Sequence, residues 1–225
     1  MKKFLDKLLP RYAYLAIFAV IAVNLIAYFG SKLFISNATW HSLAISGIDD
    51  KIPFVPQFII IYVLSFVQWG AGFVLTARES KRFCYSIFSA EMIEKIICAI
   101  CFIVFPTAIA RPDVSGGGFW NFAVRFVYFF DTPAVNLFPS IHVAESWLCV
   151  RCAFKYTKVP KWYAALNAVF TVFVCASIVL VKQHFFIDIF GGIAVCELSL
   201  LLSKVFKGYR ALDFIESKLL KQGDK

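Results

Sequence analysis

Residues 162–188 read WYAALNAVFTVFVCASIVLVKQHFFID. The stretch from Trp162 to Val181 contains no charged side chain, and its length at about 1.5 Å per residue covers the roughly 30 Å hydrocarbon core of a bilayer. Lys182, Gln183 and His184 interrupt it before a second apolar run begins at Phe185. A helix that crosses a membrane, turns at its edge and returns accounts for both halves, and the turn then carries ionisable groups. Such groups are costly at a membrane boundary, and a functional site is their commonest justification.

The rest of the chain repeats the pattern. It is 60% hydrophobic and 18% aromatic with a mean hydropathy of +0.75, well above the roughly 45–50% apolar content of soluble domains. The apolar blocks lack the alternation of a membrane barrel. The expectation is an all-α integral membrane protein, a bundle of six transmembrane helices over Tyr12–Phe34, Phe54–Thr76, Ile87–Ile109, Ile141–Phe154, Trp162–Val181 and Phe185–Phe206. Spans and connections consume nearly all of the 225 residues, which implies a single membrane domain over residues 1–225. Lys2, Lys3, Lys7 and Arg11 precede the first run as in a signal peptide, but that run is longer than a signal's apolar core, so it reads as an uncleaved first span.

The formal net charge of +9 does not read as a nucleic-acid surface, because the charges lie between apolar blocks with no polar domain to occupy. They orient the chain in membrane lipid instead. Arg78, Lys81 and Arg82 follow the second span; Lys155, Lys158 and Lys161 follow the fourth; and a basic tail occupies residues 207–225. Together with the N-terminus these fall on one side, which the positive-inside rule makes cytoplasmic. The connections near residues 35–53, 110–140 and 182–188 then face outward, in a cell membrane the outer side. The aromatic stretch Phe119–Phe130 is too short to cross, at about 18 Å of helix. It is expected to lie in the outer interface, and the tail to form a surface helix or remain solvated.

The chain has three histidines. His41 lies in the first outer loop without patterned context. His142, in Pro139-Ser140-Ile141-His142, and His184 share the outward layer. His184 and Asp188 are spaced i,i+4, which on a helix puts both on one face. A carboxylate there holds one ring nitrogen and leaves the other free as base or nucleophile. Lys182 and Gln183 share the turn, Arg111-Pro112 end the third span, and Ser140 precedes His142. Guanidinium, ammonium, hydroxyl and N–H groups at a helix start are what bind a phosphoryl group.

On these residues the chain resembles the type 2 phosphatidic acid phosphatases (PAP2), which share a core with vanadium haloperoxidases and bacterial acid phosphatases. The family's motifs are KxxxxxxRP, PSxH and SRxxxxxHxxxD. The second is complete at Pro139, Ser140 and His142. The third keeps Ser177, His184 and Asp188 with Ile178 at the arginine position, and the first keeps Arg111 and Pro112 with Val104 at the lysine position. Motif order and separations also match. The Lys182-Gln183-His184 run looks like the branch that contains inositol-phosphorylceramide synthases, which transfer phospho-head-groups.

The resemblance implies a phosphoric ester hydrolase acting on a phosphorylated or pyrophosphorylated lipid. His184, oriented by Asp188, would be the nucleophile and His142 the acid, with Arg111, Ser140 and Lys182 binding phosphate. No metal or other cofactor enters this scheme. Head-group transfer at the same site is the alternative, and a non-catalytic transport or binding role the second. Glu145, three residues after His142, is a possible modulator of its protonation. Glu91 and Lys95 read as an intra-helical pair, Glu197 as an inter-helical contact, and the Cys98/Cys101 and Cys149/Cys152 pairs as packing residues within spans. Gly191-Gly192 reads as a close approach of helices beneath the site.

Overall fold

The computed structural model describes residues 9–34 and 40–223. Lys2, Lys3, Lys7 and Lys225 lie outside the described residues. Among these residues the chain forms eight α-helices: α1 (Arg11–Phe34), α2 (Ile59–Glu79), α3 (Lys81–Val104), α4 (Phe119–Phe130), α5 (Ile141–Ala153), α6 (Trp162–Leu180), α7 (Phe186–Val205) and α8 (Tyr209–Gly223). A short 3-10 turn, Pro56–Phe58, leads into α2.

Among the described residues four segments are long and apolar enough to cross a membrane: Arg11–Phe34, Pro56–Glu79, Trp162–Leu180 and Phe186–Val205. The remaining two expected spans differ for physical reasons. Helix α3 has the length but carries Glu91, Glu94 and Lys95, all buried. Helix α5 has only 13 residues, about 20 Å of rise, yet it sits among α2, α6 and α7. Enclosed by neighbours, it has little need to match a lipid thickness. Large apolar side chains such as Phe18, Ile26, Val67 and Val172 point outward from α1, α2 and α6, as lipid-facing surfaces require.

The third helix is displaced from its expected limits of Ile87–Ile109. Ser80 caps its start, accepting from the Phe83 N–H at 3.2 Å, and Pro106 ends it by disfavouring helix at Phe105. The following residues leave the helix and pack against the loops around residues 41 and 135–138. Thr107 makes an isolated bridge with His41, and its hydroxyl accepts from the Leu137 and Phe138 N–H groups at 3.2 and 3.1 Å. The loop that precedes Ser140 is thereby pinned. His41 stacks on Phe105 at 4.5 Å.

Two apolar clusters fill the bundle. One, on the side of the basic loops, gathers Tyr85, Phe88, Cys98, Phe102, Leu148, Cys152 and Cys196. The other, beneath the histidine layer, gathers Ile59, Tyr62, Val124, Val143, Val174 and Ile178. The tail helix α8 folds back on α3, burying Leu212 and pairing Lys81 with Asp213 and Glu216.

Candidate active site

Helix α7 begins at the turn that follows α6. The Gln183 and His184 N–H groups both donate to the Ile178 carbonyl, at 2.9 and 3.0 Å, closing the end of α6. Asp188, fully buried, accepts the Phe185 N–H at 3.0 Å and thereby caps α7. The same oxygen lies 3.1 Å from His184 Nδ1. With Nδ1–H donating to the carboxylate, the lone pair at Nε2 points away from Asp188.

Nε2 lies 3.3 Å from the Ser140 hydroxyl. Ser140 is the N-cap of α5, accepting from the Val143 N–H at 3.4 Å, so its O–H is left to donate toward the histidine. Residue 140 meets residue 184 because α7 approaches α5 at glycine. A Cβ on Gly192 would lie 2.6 Å from the Ser140 carbonyl, and one on Gly191 would collide with the Phe138 ring.

His142, in the first turn of α5, stacks on Tyr62 at 4.2 Å and lies 5.1 Å from the Trp69 ring. Its ring centroid is 6.1 Å from that of His184. Its Nε2 atom is buried without a protein partner. The aromatic wall orients the imidazole while leaving that nitrogen uncommitted.

Arg111 approaches from the loop after α3. Its guanidinium donates to the Asp131 carbonyl at 2.9 Å, and also to the Asp131 carboxylate and the Gln183 side-chain oxygen. It stacks on Tyr128 at 4.5 Å. Burial pushes the Tyr128 phenol up to about 12 despite the nearby cation, and the phenol donates to the Val181 carbonyl at 2.7 Å.

His142, His184, Arg111 and Gln183 face one cavity of about 600 Å³. Its remaining wall is mostly aromatic: Tyr28 and Phe29 from α1, Phe66 and Trp69 from α2, Phe122 and Phe126 from α4. A few convergent polar groups at one end of an apolar chamber is the usual form of a small-molecule site. Among the described residues no His, Cys, Asp or Glu group could hold a metal ion.

Two of the residues singled out from sequence lie elsewhere. Lys182, at a backbone φ of +49°, sends its ammonium to the Asp49 and Ile52 carbonyls at 3.3 and 2.6 Å. It fastens the loop before α2 to the turn, and its neighbour Gln183 enters the cavity instead. Glu145 pairs with Lys95, as does Glu94 at 2.7 Å, with no hydrogen bond from Glu145 to His142. The expected Glu91–Lys95 pair is replaced by these two. Val104 and Ile178, which stand where the motifs place cations, are respectively exposed at the end of α3 and buried in the apolar cluster. Asp131, Tyr28 and Gln183 were not assigned to the site from sequence. For Tyr28 no local signal exists, since its partner Asp131 is 103 residues away.

Such a bundle, with two histidines, a carboxylate, a serine and an arginine gathered at one end of an apolar chamber, has the parts of a membrane phosphoryl-transfer enzyme. A family model described as the PAP2 superfamily matches residues 39–202, and the chain belongs to that superfamily. Its members are generally phosphatases or phosphotransferases. No curated protein and no solved structure matches the chain significantly.

Proposed function

We propose that the chain is a lipid phosphatase that hydrolyses a phosphomonoester or pyrophosphate at the outer leaflet through a phosphohistidine. The observation that carries this reading is His184, with Nδ1 on buried Asp188 and Nε2 beside Ser140, on a cavity that Arg111 and His142 share. The aromatic chamber favours a substrate with a long apolar portion.

In the first step His184 Nε2 attacks phosphorus and the bond from phosphorus to the leaving oxygen breaks. His142, which takes up a proton as the phosphate ester binds beside it, gives that oxygen its proton. Asp188 stabilises the positive charge that develops on the His184 ring. Arg111 and the Ser140 hydroxyl stabilise the equatorial oxygens, where phosphoryl transfer has its largest electrostatic need. Water then attacks the phosphohistidine, losing a proton to the now neutral His142. Phosphate leaves, and both histidines return to their starting states.

In this reading the chain is one membrane domain in which α3 and α5 join the four more apolar helices as spans. The termini are cytoplasmic and the histidine layer faces outward in a cell membrane. Cysteines introduced at Asp113 and Lys158 then label from opposite sides; labelling from the same side overturns the topology.

The decisive assay is phosphate release from phosphatidate, diacylglycerol pyrophosphate and a polyprenyl pyrophosphate by purified protein, with orthovanadate as inhibitor. His184→Ala is expected to abolish release from whichever lipid is used, and release that survives it overturns the mechanism. Head-group transfer is a second reading, favoured by the Lys182-Gln183-His184 run and by the apolar residues at positions 104 and 178. It predicts a phospholipid product that forms only when an acceptor lipid alcohol is added.

A further inference from the structure

Two cations flank one carboxylate at the edge of the cavity. Asp131, which ends α4, receives the Arg111 guanidinium on one oxygen and the Tyr28 hydroxyl on the other. Lys32 Nζ stands 3.9 Å from that second oxygen and 4.6 Å from the centre of the Tyr28 ring. The arrangement is mirrored on the far side, where Arg111 stacks on Tyr128. Asn136 ties the same turn of α1 down again, donating to the Tyr28 carbonyl at 3.1 Å and the Ser31 hydroxyl at 3.0 Å. Tyr28, Ser31 and Lys32 all precede residue 39, where the family match begins.

The electrostatics give this joint a function. Arg111 is the only arginine or lysine lining the cavity among the described residues, and alone with Asp131 it would form a neutral pair with little attraction for an anion. Lys32 offsets the carboxylate, so the three groups carry one net positive charge. The chain lacks cations at positions 104 and 178, which makes that residual charge the principal attraction for a phosphoryl group.

We infer that Lys32, acting through Asp131, is a positioning residue that keeps Arg111 electropositive toward the phosphoryl group, so that α1 is a working part of the site. The inference rests on the phosphoryl-binding reading above. It is separable from catalysis, because it concerns how tightly the site holds an anion.

The test is equilibrium binding of orthovanadate to the full chain purified in detergent, beside turnover of whichever phospholipid is hydrolysed. A unit charge one carboxylate removed from the anion, at a separation of about 10 Å and with an effective dielectric near ~20, changes anion affinity by about tenfold. Lys32→Met is therefore expected to weaken vanadate binding about tenfold and to raise KM more than it lowers kcat, with Lys32→Arg restoring both. Asp131→Asn is expected to tighten vanadate, an effect that misfolding cannot mimic. The double variant K32M/D131N restores the single net charge and is expected to bind vanadate within about threefold of wild type. Should the double variant bind more weakly than K32M, the joint is only a structural tie and the inference is overturned. Unchanged affinity in K32M with normal binding by wild type overturns it as well, leaving the phosphatase reading intact. Wild-type protein that binds no vanadate overturns both.

Discussion

Gly192 of α7 lies against the Ser140 carbonyl so closely that a single methyl would sit 2.6 Å from the oxygen and 2.8 Å from Val143 Cβ. The neighbours are backbone and a β-branched side chain at the start of α5, so neither has a rotamer by which to yield. Gly192→Ala is therefore expected to push α5 and α7 apart, at a cost of about 1–3 kcal/mol from overpacking. Because the same contact sets the Ser140–His184 distance, kcat is expected to fall at least about tenfold. Thermal unfolding in detergent and steady-state turnover measure the two effects, and unchanged values in both would show that the helices separate without consequence.

The Asp188 carboxylate orients His184 and caps α7 with the same oxygen. Asp188→Asn keeps the volume but removes the charge that stabilises the developing imidazolium and fixes the tautomer. Its kcat is expected to drop by about 10²–10⁴-fold with KM changed far less. Trapping the phosphoenzyme with labelled substrate checks the origin of the loss: the variant should form phosphohistidine slowly. A normal rate of labelling with slow release would place the role of Asp188 in the second step.

Lys182 and Arg111 separate a loop clasp from a phosphate ligand. Lys182→Met removes the bonds to the Asp49 and Ile52 carbonyls and is expected to lower thermal stability by about 1–2 kcal/mol while changing vanadate affinity less than about threefold. Arg111→Lys keeps a charge but loses the planar fork shared by Asp131 and Gln183, and is expected to weaken vanadate by more than about tenfold. The reverse order of effects would return Lys182 to the phosphate site.

The helices were legible because apolar blocks near bilayer length leave few alternatives, and α4 runs over the very residues, Phe119–Phe130, read as an interfacial helix. The third helix was misplaced by several residues because hydropathy continues past Pro106 while the backbone does not. The histidines, Asp188 and Ser140 were legible through the motifs of the resembled family; the i,i+4 spacing pointed to the His184–Asp188 contact, but His184 precedes α7 and Asp188 meets it by turning back to cap the helix start. Orientation was less accessible. Lys182 and Gln183 are neighbours on one turn, and which of them enters the cavity depends on a positive φ and on carbonyls 130 and 133 residues away. The Tyr28–Asp131 joint is likewise a product of packing, with no periodicity to announce it.

Lys95 is buried in α3 between Glu94 of its own helix and Glu145 of α5, with Glu91 buried nearby. A charge removed from such a setting leaves partners that have already lost their water. Lys95→Met is therefore expected to destabilise the bundle by about 3–5 kcal/mol, whereas replacing both ends of the inter-helical pair, as in K95M/E145L, recovers a substantial part of that loss. Neither residue lines the histidine cavity, so the folded fraction of either variant should keep its affinity for vanadate. Thermal unfolding in detergent gives the first comparison and vanadate binding the second. A double variant that is less stable than K95M would mean that Glu145 holds α5 through contacts other than Lys95. Weakened vanadate binding in the double variant alone would instead link Glu145 to His142, three residues away on the same helix.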